Sequence, residues 1–304
     1  MAANITIGPI PYHWPAAIKL EFYRRMAEEP AIDEIYLGEV ICSKRAPYFD
    51  NHLPDVTANL MAAGKTVILS SLAEVMLPRE RKATSDLAAL DDIELECNNA
   101  AALYARGRRP HRIGPFMNAY NEATIAFMAD QGATHICLPS ELPAPSIAIA
   151  AAAARALGLG VEVQVFGRAS LAVSARCYHA RAHRRTKDNC QFVCEDDPDG
   201  MPLTSQNGTP FLRVNGIQTQ SESYIDLLAE LDDLDKLGIT HFRLSPQMVD
   251  MAGVARVYRA RATRSISIED AGQQLRALCG ATPFSNGFYH GVAGYQSVPD
   301  LAAG

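Results

Sequence analysis

Three cysteines, Cys177, Cys190 and Cys194, fall in one polar, charged stretch, SARCYHARAHRRTKDNCQFVCEDDPDG (Ser174 to Gly200). Thiols normally sit in a core, and this stretch has neither a helical nor a strand period, so it reads as a loop. Three thiols in a loop point to a metal. Thiolate is a soft ligand that suits zinc or an iron–sulfur cluster, and either centre usually takes four. The fourth must come from Cys42, Cys97, Cys137 or Cys279. The close pair is C-x3-C behind a twelve-residue gap, with the fourth thiol far upstream, which is looser than the paired knuckles of a zinc ribbon. A cubane cluster accepts ligands from scattered loops, so spacing alone leaves zinc and iron–sulfur open. Arg176, Arg181, Arg184, Arg185 and Lys187 lie beside or between these cysteines, where cations would stabilise an anionic centre. His179 and His183 could each replace a thiolate, but their basic setting reads as solvated.

The elements that must position these thiols alternate between strand and helix. Branched and aromatic runs bounded by turn residues predict eight strands, starting at Ile5, Glu34, Thr66, Ile93, Arg112, His135, Val161 and His241. The fourth, IELECN, lies close to the fifth; were it helical, an open doubly wound sheet would fit better. Pro15 opens a first helix with Ile18, Phe22 and Met26 on one face. NEATIAFMADQG ends at Gly132, and SIAIAAAARALGLG ends at Gly158 or Gly160. SESYIDLLAELDDLDKLG reads as one helix with a leucine stripe and Gly238 as its cap.

Eight such repeats predict an α/β fold, a (β/α)8 TIM-barrel-like single domain over residues 1–304. Residues 168–220 then form a long Cys-containing loop insertion after strand seven, on the carboxyl face where barrels carry their active sites. Cys42, just past strand two, projects to the same mouth and is the first choice as fourth ligand, with Cys97 behind it. Cys137 and Cys279 read as packed thiols. Glu39, Ser71, Asn118, Tyr120, Asn121, Glu141, Arg168 and Arg243 are the polar residues expected at the mouth. Glu39, Asn118, Tyr120, Glu141, Arg168 and Arg243 are the candidate substrate ligands among them, with the two arginines suited to a carboxylate.

The composition is that of an ordinary globular chain, 48% hydrophobic and 20% charged over 304 residues. A net charge of -6 gives no support to a general nucleic-acid or DNA binder. No apolar run reaches transmembrane length, and the N-terminus lacks the pattern of a signal peptide, so the expected location is cytoplasmic. There the seven cysteines stay reduced, as ligands or buried thiols.

With these residues in view, nearly the whole chain resembles the collagenase-like peptidase family, most closely its UbiV-like branch. The segments that carry the resemblance are YLGEVICSKR (Tyr36 to Arg45), NAYNEATI (Asn118 to Ile125), SARCYHAR with RTKDNCQFVC (Ser174 to Cys194), FLRVNGIQT (Phe211 to Thr219) and HFRLSPQ (His241 to Gln247). The resemblance implies a 4Fe-4S cluster held by Cys42, Cys177, Cys190 and Cys194. It also implies a heterodimer with a UbiU-like protein, itself a cluster protein. The pair would act in oxygen-independent (anaerobic) hydroxylation of a quinone precursor during ubiquinone biosynthesis, with prephenate as oxygen donor. Relatives that hydroxylate RNA bases make that the alternative activity, and a non-catalytic metal-stapled scaffold is the third reading. No G-x-S-x-G or H-E-x-x-H motif supports peptidase chemistry.

Overall fold

The computed structural model describes residues 3–299. Seven parallel strands follow in chain order: β1 (Asn4–Ile7), β2 (Glu34–Leu37), β3 (Thr66–Ser70), β4 (Glu94–Cys97), β5 (His111–Ile113), β6 (Ala133–Cys137) and β7 (Gly160–Val173). After β7 come three antiparallel strands, β8 (Met201–Thr204), β9 (Pro210–Asn215) and β10 (Gln218–Asp226). The eighth parallel strand, β11 (His241–Leu244), pairs with β7 on one side and β1 on the other, with Arg243 opposite both Gln164 and Thr6. That double pairing closes the barrel, and the fourth run is a strand as expected. All eight sit where the branched and aromatic runs and their turn residues put them.

Helices α1 (Ala16–Glu28), α2 (Leu53–Ala62), α3 (Pro78–Ala88), α4 (Ala100–Arg106), α5 (Glu122–Asp130) and α6 (Ala144–Ala156) each follow a strand. A short α7 (Tyr178–Ala182) lies in the cysteine segment, and α8 (Leu231–Lys236), α9 (Met251–Ala262) and α10 (Ile268–Cys279) complete the layer. The buried face of α1 differs from the expected one. Lys19, Tyr23 and Met26 are buried while Ile18 is 40% exposed. Two adjacent aromatics, Phe22 and Tyr23, let the stripe rotate by one residue; Lys19 lays its stem inward and its ammonium 5.3 Å from the Phe49 ring.

The leucine-striped helix is also corrected. Gln218 to Asp226 is strand, and only Leu231 to Lys236 is helix. Tyr224 and Ile225 pair across to Arg168 and Gly167 of β7, so ladder hydrogen bonds outweigh the helical spacing of the leucines. Leu227, Leu228, Leu231 and Leu234 are all buried, but around a strand-to-helix turn. The 168–220 segment is thus more regular than a loop: β7 runs on past the barrel wall and β8 to β10 fold back on it. Residues 174–200 remain mostly irregular, with α7 and one 3-10 turn.

The barrel interior is polar. Alternate strand residues point inward, and here they include Thr6, Glu34, Tyr36, Glu96, Arg112, His135, Glu162 and Arg243, all buried. One Arg243 nitrogen bridges Glu96 at 2.5 Å and Glu162 at 2.6 Å, and the guanidinium lies 4.1 Å from the Tyr36 ring centre. Arg112 pairs with Glu34 and Glu94 one layer lower. Burial pushes the Glu162 carboxyl up, but Arg243 and His135 outweigh it and hold it well below the usual range.

Candidate metal centre and barrel mouth

Cys42, Cys177, Cys190 and Cys194 line a single cavity at the carboxyl face, together with Lys44, Arg45, His179, Lys187, Phe192 and Gly216. Each thiol has a local reason for its place. Glu39 caps the turn after β2, its Oε1 accepting the N–H groups of Ile41 and Cys42 at 2.9 Å each, which aims Cys42 inward. Cys177 is the N-cap of α7, its sulfur accepting the Ala180 N–H at 3.4 Å. Gln191 and Phe192 both take positive φ, turning the chain sharply so that Cys190 and Cys194 face the same space. All seven cysteines are free thiols. Cys97 and Cys137 are buried in strands β4 and β6, and Cys279 is buried at the end of α10.

Zinc and a cubane ask for different sulfur spacings. Among the described residues, no three cysteine sulfurs lie within 4.8 Å of one another. A tetrahedral zinc with bonds of about 2.3 Å holds its sulfurs about 3.8 Å apart. A cubane, whose four corners are separate irons, spreads its terminal thiolates more widely. Four thiols around one cavity can serve either kind of centre.

Charge favours an anionic occupant. Arg45, 1% exposed, sits beside Cys194 and Cys42. Its guanidinium donates to Pro11 O at 2.9 Å and to Asn215 Oδ1 at 2.8 Å, which fixes it in place. Gly216, at φ +63°, leaves the room: a β-carbon there would stand 2.6 Å from Arg45 Nη2. Burial pushes the Cys194 thiol up, and Arg45 pulls it the other way. Burial likewise raises Cys42 and Cys177. Of the five cations expected around the thiols, Lys187 lines the cavity and Arg185 donates to Cys190 O at 3.3 Å. Arg176, Arg181 and Arg184 are exposed. The expectation of two solvated histidines fails for His179, which is fully buried and paired with Asp197, because α7 packs that side against β9.

The mouth of the barrel holds a second cavity of about 100 Å3, walled from the thiols by Val40 and Ile41, which pack against Cys177. Asn118, Glu141, Arg168 and Arg243 line it, as do Gln164 and Gln220. Tyr120 stands at the edge, 42% exposed, its hydroxyl donating to Glu141. Glu39 belongs to the Cys42 turn instead. Ser71 receives the Asn98 N–H at 2.9 Å, and Asn121 caps α5, both ordinary structural duties.

Arg168 pairs with Asp199 and donates to the Ser221 and Glu222 carbonyls, and Arg243 serves Glu96 and Glu162. Yet Arg168 Nε, Arg243 Nε and Gln220 Oε1 are buried without partners. Buried polar atoms without partners mark a place where a ligand group can be received. Sequence reasoning missed Arg45 and the inner ring of Glu96, Arg112 and Glu162. The signal was present: Glu94 and Glu96, Glu162 and Gln164, and His241 and Arg243 all place polar groups on the inward face of strands.

A larger cavity of about 840 Å3 lies outside the barrel between α2 and α3, floored by Leu37 and Leu69. No helix of the described residues is long and apolar enough to cross a membrane.

The sequence model of peptidase family U32 matches residues 23–298. Among solved structures, an enolase from Agrobacterium radiobacter is 13% identical, covering 54% of this chain and 45% of its own, with a TM-score of 0.33. The chain thus spans less than half the length of that protein. A phospho-2-dehydro-3-deoxyheptonate aldolase from Thermotoga maritima is 11% identical, covering 93% of this chain and 71% of its own, with a TM-score of 0.41.

Proposed function

The chain belongs to peptidase family U32, and from that premise we propose that it is an iron–sulfur subunit of an oxygen-independent hydroxylase of ubiquinone precursors. In this reading Cys42, Cys177, Cys190 and Cys194 hold a 4Fe-4S cluster. The observation that carries it is the convergence of these four thiols on one cavity beside a buried guanidinium. A bound cubane supplies one-electron transfer, and four thiolates leave none of its irons open to substrate. Arg45 neutralises part of the cluster's charge, and Lys187 adds to this at the rim.

Substrate binding is proposed at the barrel mouth, where Arg168 and Arg243 each keep an unpartnered Nε for an anionic group such as the carboxylate of prephenate. Gln164 and Gln220 orient it, and Val40 and Ile41 keep it close to the thiols without exposing them. The quinone pathway, prephenate and a UbiU-like partner rest on the resemblance of the segments from Tyr36 to Arg45 and from Ser174 to Cys194 to that branch.

The test is purification without air, with iron and sulfide quantified and the reduced protein examined by electron paramagnetic resonance. About four irons and four sulfides per chain with a cubane signal are expected. Stoichiometric zinc in place of iron, or visible absorption that survives loss of any one of the four cysteines, overturns the ligand set. For the pathway, a deletion strain grown without oxygen should lose ubiquinone and keep its modified nucleosides. The reverse pattern assigns an RNA base as the substrate.

A further inference from the structure

Beside the thiol cavity, His179, His183 and Asp197 each bring one ligand atom to within 4.8 Å of the other two. His179 lies on α7 and His183 is its C-cap, four residues on, so the rings share a side of the turn, 5.7 Å apart and 15° from parallel. Asp197 arrives from beyond Cys194, its Oδ2 at 2.9 Å from His179 Nε2. A plain histidine–aspartate hydrogen bond accounts for two of these residues. It does not account for His183, an exposed ring converging on the same point.

We propose that His179, His183 and Asp197 form a second, mononuclear site for a divalent transition ion of the zinc class, with its remaining position open to solvent. Two imidazoles and a carboxylate are the donor set of zinc sites that keep an open position, and imidazole nitrogen disfavours calcium and magnesium. An ion on His179 Nε2 takes the place of the proton now shared with Asp197. That fixes the neutral ring as its Nδ1–H tautomer. That Nδ1, buried without a partner, then becomes a donor, on a ring that also lines the thiol cavity. One imidazole would thus link the two centres. The exposed His183 gives the ion a path from water. Arg181 and Arg184 nearby are solvent-exposed, so salt screens their repulsion, and Asp197 outweighs the buried Arg45 that also faces His179.

This site stands whether or not the neighbouring thiols hold iron, and the test separates the two. Full-length protein purified without air is titrated with Co2+ while its iron and sulfide are measured on the same sample. One equivalent of cobalt with visible d–d bands and no thiolate-to-cobalt charge transfer is expected. His183→Ala, at an exposed position, and Asp197→Asn, which keeps a hydrogen bond to the ring, should each weaken cobalt binding about 100-fold or more with iron and sulfide unchanged. The proposal is overturned by absence of cobalt binding, by charge-transfer bands showing sulfur in its shell in protein that carries its full iron and sulfide, or by equal affinity in His183→Ala. A loss of iron in wild-type protein that still binds cobalt sinks the cluster reading and leaves this one standing.

Discussion

At the scale of single residues, the four thiols and Arg45 separate ligand from scaffold. Replacing Cys42, Cys177, Cys190 or Cys194 by serine should each abolish most of the bound iron and sulfide and the visible absorption. Cys97→Ala and Cys137→Ala, deep in β4 and β6, should leave the metal content intact and lower stability by about 1 kcal/mol for the lost packing. Metal analysis beside thermal unfolding distinguishes the two groups. Arg45 acts by charge and by bonding. Arg45→Gln removes a buried cation beside Cys194 and loosens the hold on Pro11 O and Asn215 Oδ1. The variant should fold with a loss of about 2 kcal/mol or more and, where it retains iron, show a more negative midpoint potential in a spectroscopic redox titration.

At the scale of elements, β10 decides how the cysteine segment is anchored. It pairs with β7 and β9 at once and delivers the chain to the helix layer at Asp226. That carboxylate accepts the Leu228 N–H at 3.1 Å and the Tyr258 hydroxyl at 3.0 Å, yet burial pushes its pKa up to about 6. A folded pKa above the ordinary aspartate value favours the protonated form, so its stabilising contribution is complete below about pH 4 and is lost as pH rises through 6. Asp226→Asn keeps the acceptor without the charge. It should therefore be more stable than wild type at pH 7, by on the order of 1–2 kcal/mol, and equal to it near pH 4. Denaturant titrations at the two pH values check this.

At the scale of the whole molecule, the barrel is held from inside by ion pairs in place of the usual apolar layers. Arg243 is shared between Glu96 and Glu162. Arg243→Met leaves two buried carboxylates uncompensated and should lower stability by about 3–5 kcal/mol, read by chemical denaturation. Burial raises the Glu34 carboxyl, but His241 and Arg112 prevail and bring it down to about 2. With Glu162 also depressed, the barrel's stability is full above the ordinary carboxylate range and falls as pH drops from about 4.5 toward 2. Acid unfolding followed by near-ultraviolet circular dichroism should show the transition within that window. Its sign is opposite to that of Asp226, so the two effects are separable by pH alone.

The amino-acid order by itself determined the eight strands, because each is a short run rich in branched or aromatic residues closed by turn residues, a local signal that needs no partner. It also put three thiols in one irregular segment and made Cys42, which follows a strand whose end must face the same side of any closed parallel barrel, the first choice to join them, with Cys97 behind it. What only the tertiary structure decided was long-range. Gln218 to Asp226 became a strand because β7 continues beyond the barrel and offers a ladder. Arg45 entered the site because Gly216, 171 positions later, leaves space for it. His179 was drawn inside by the packing of α7 against β9. Glu96, Glu162 and Arg243 became one buried group only when strands β4, β7 and β11 closed around them. Such contacts arise where distant segments meet, and no window of local sequence contains both partners.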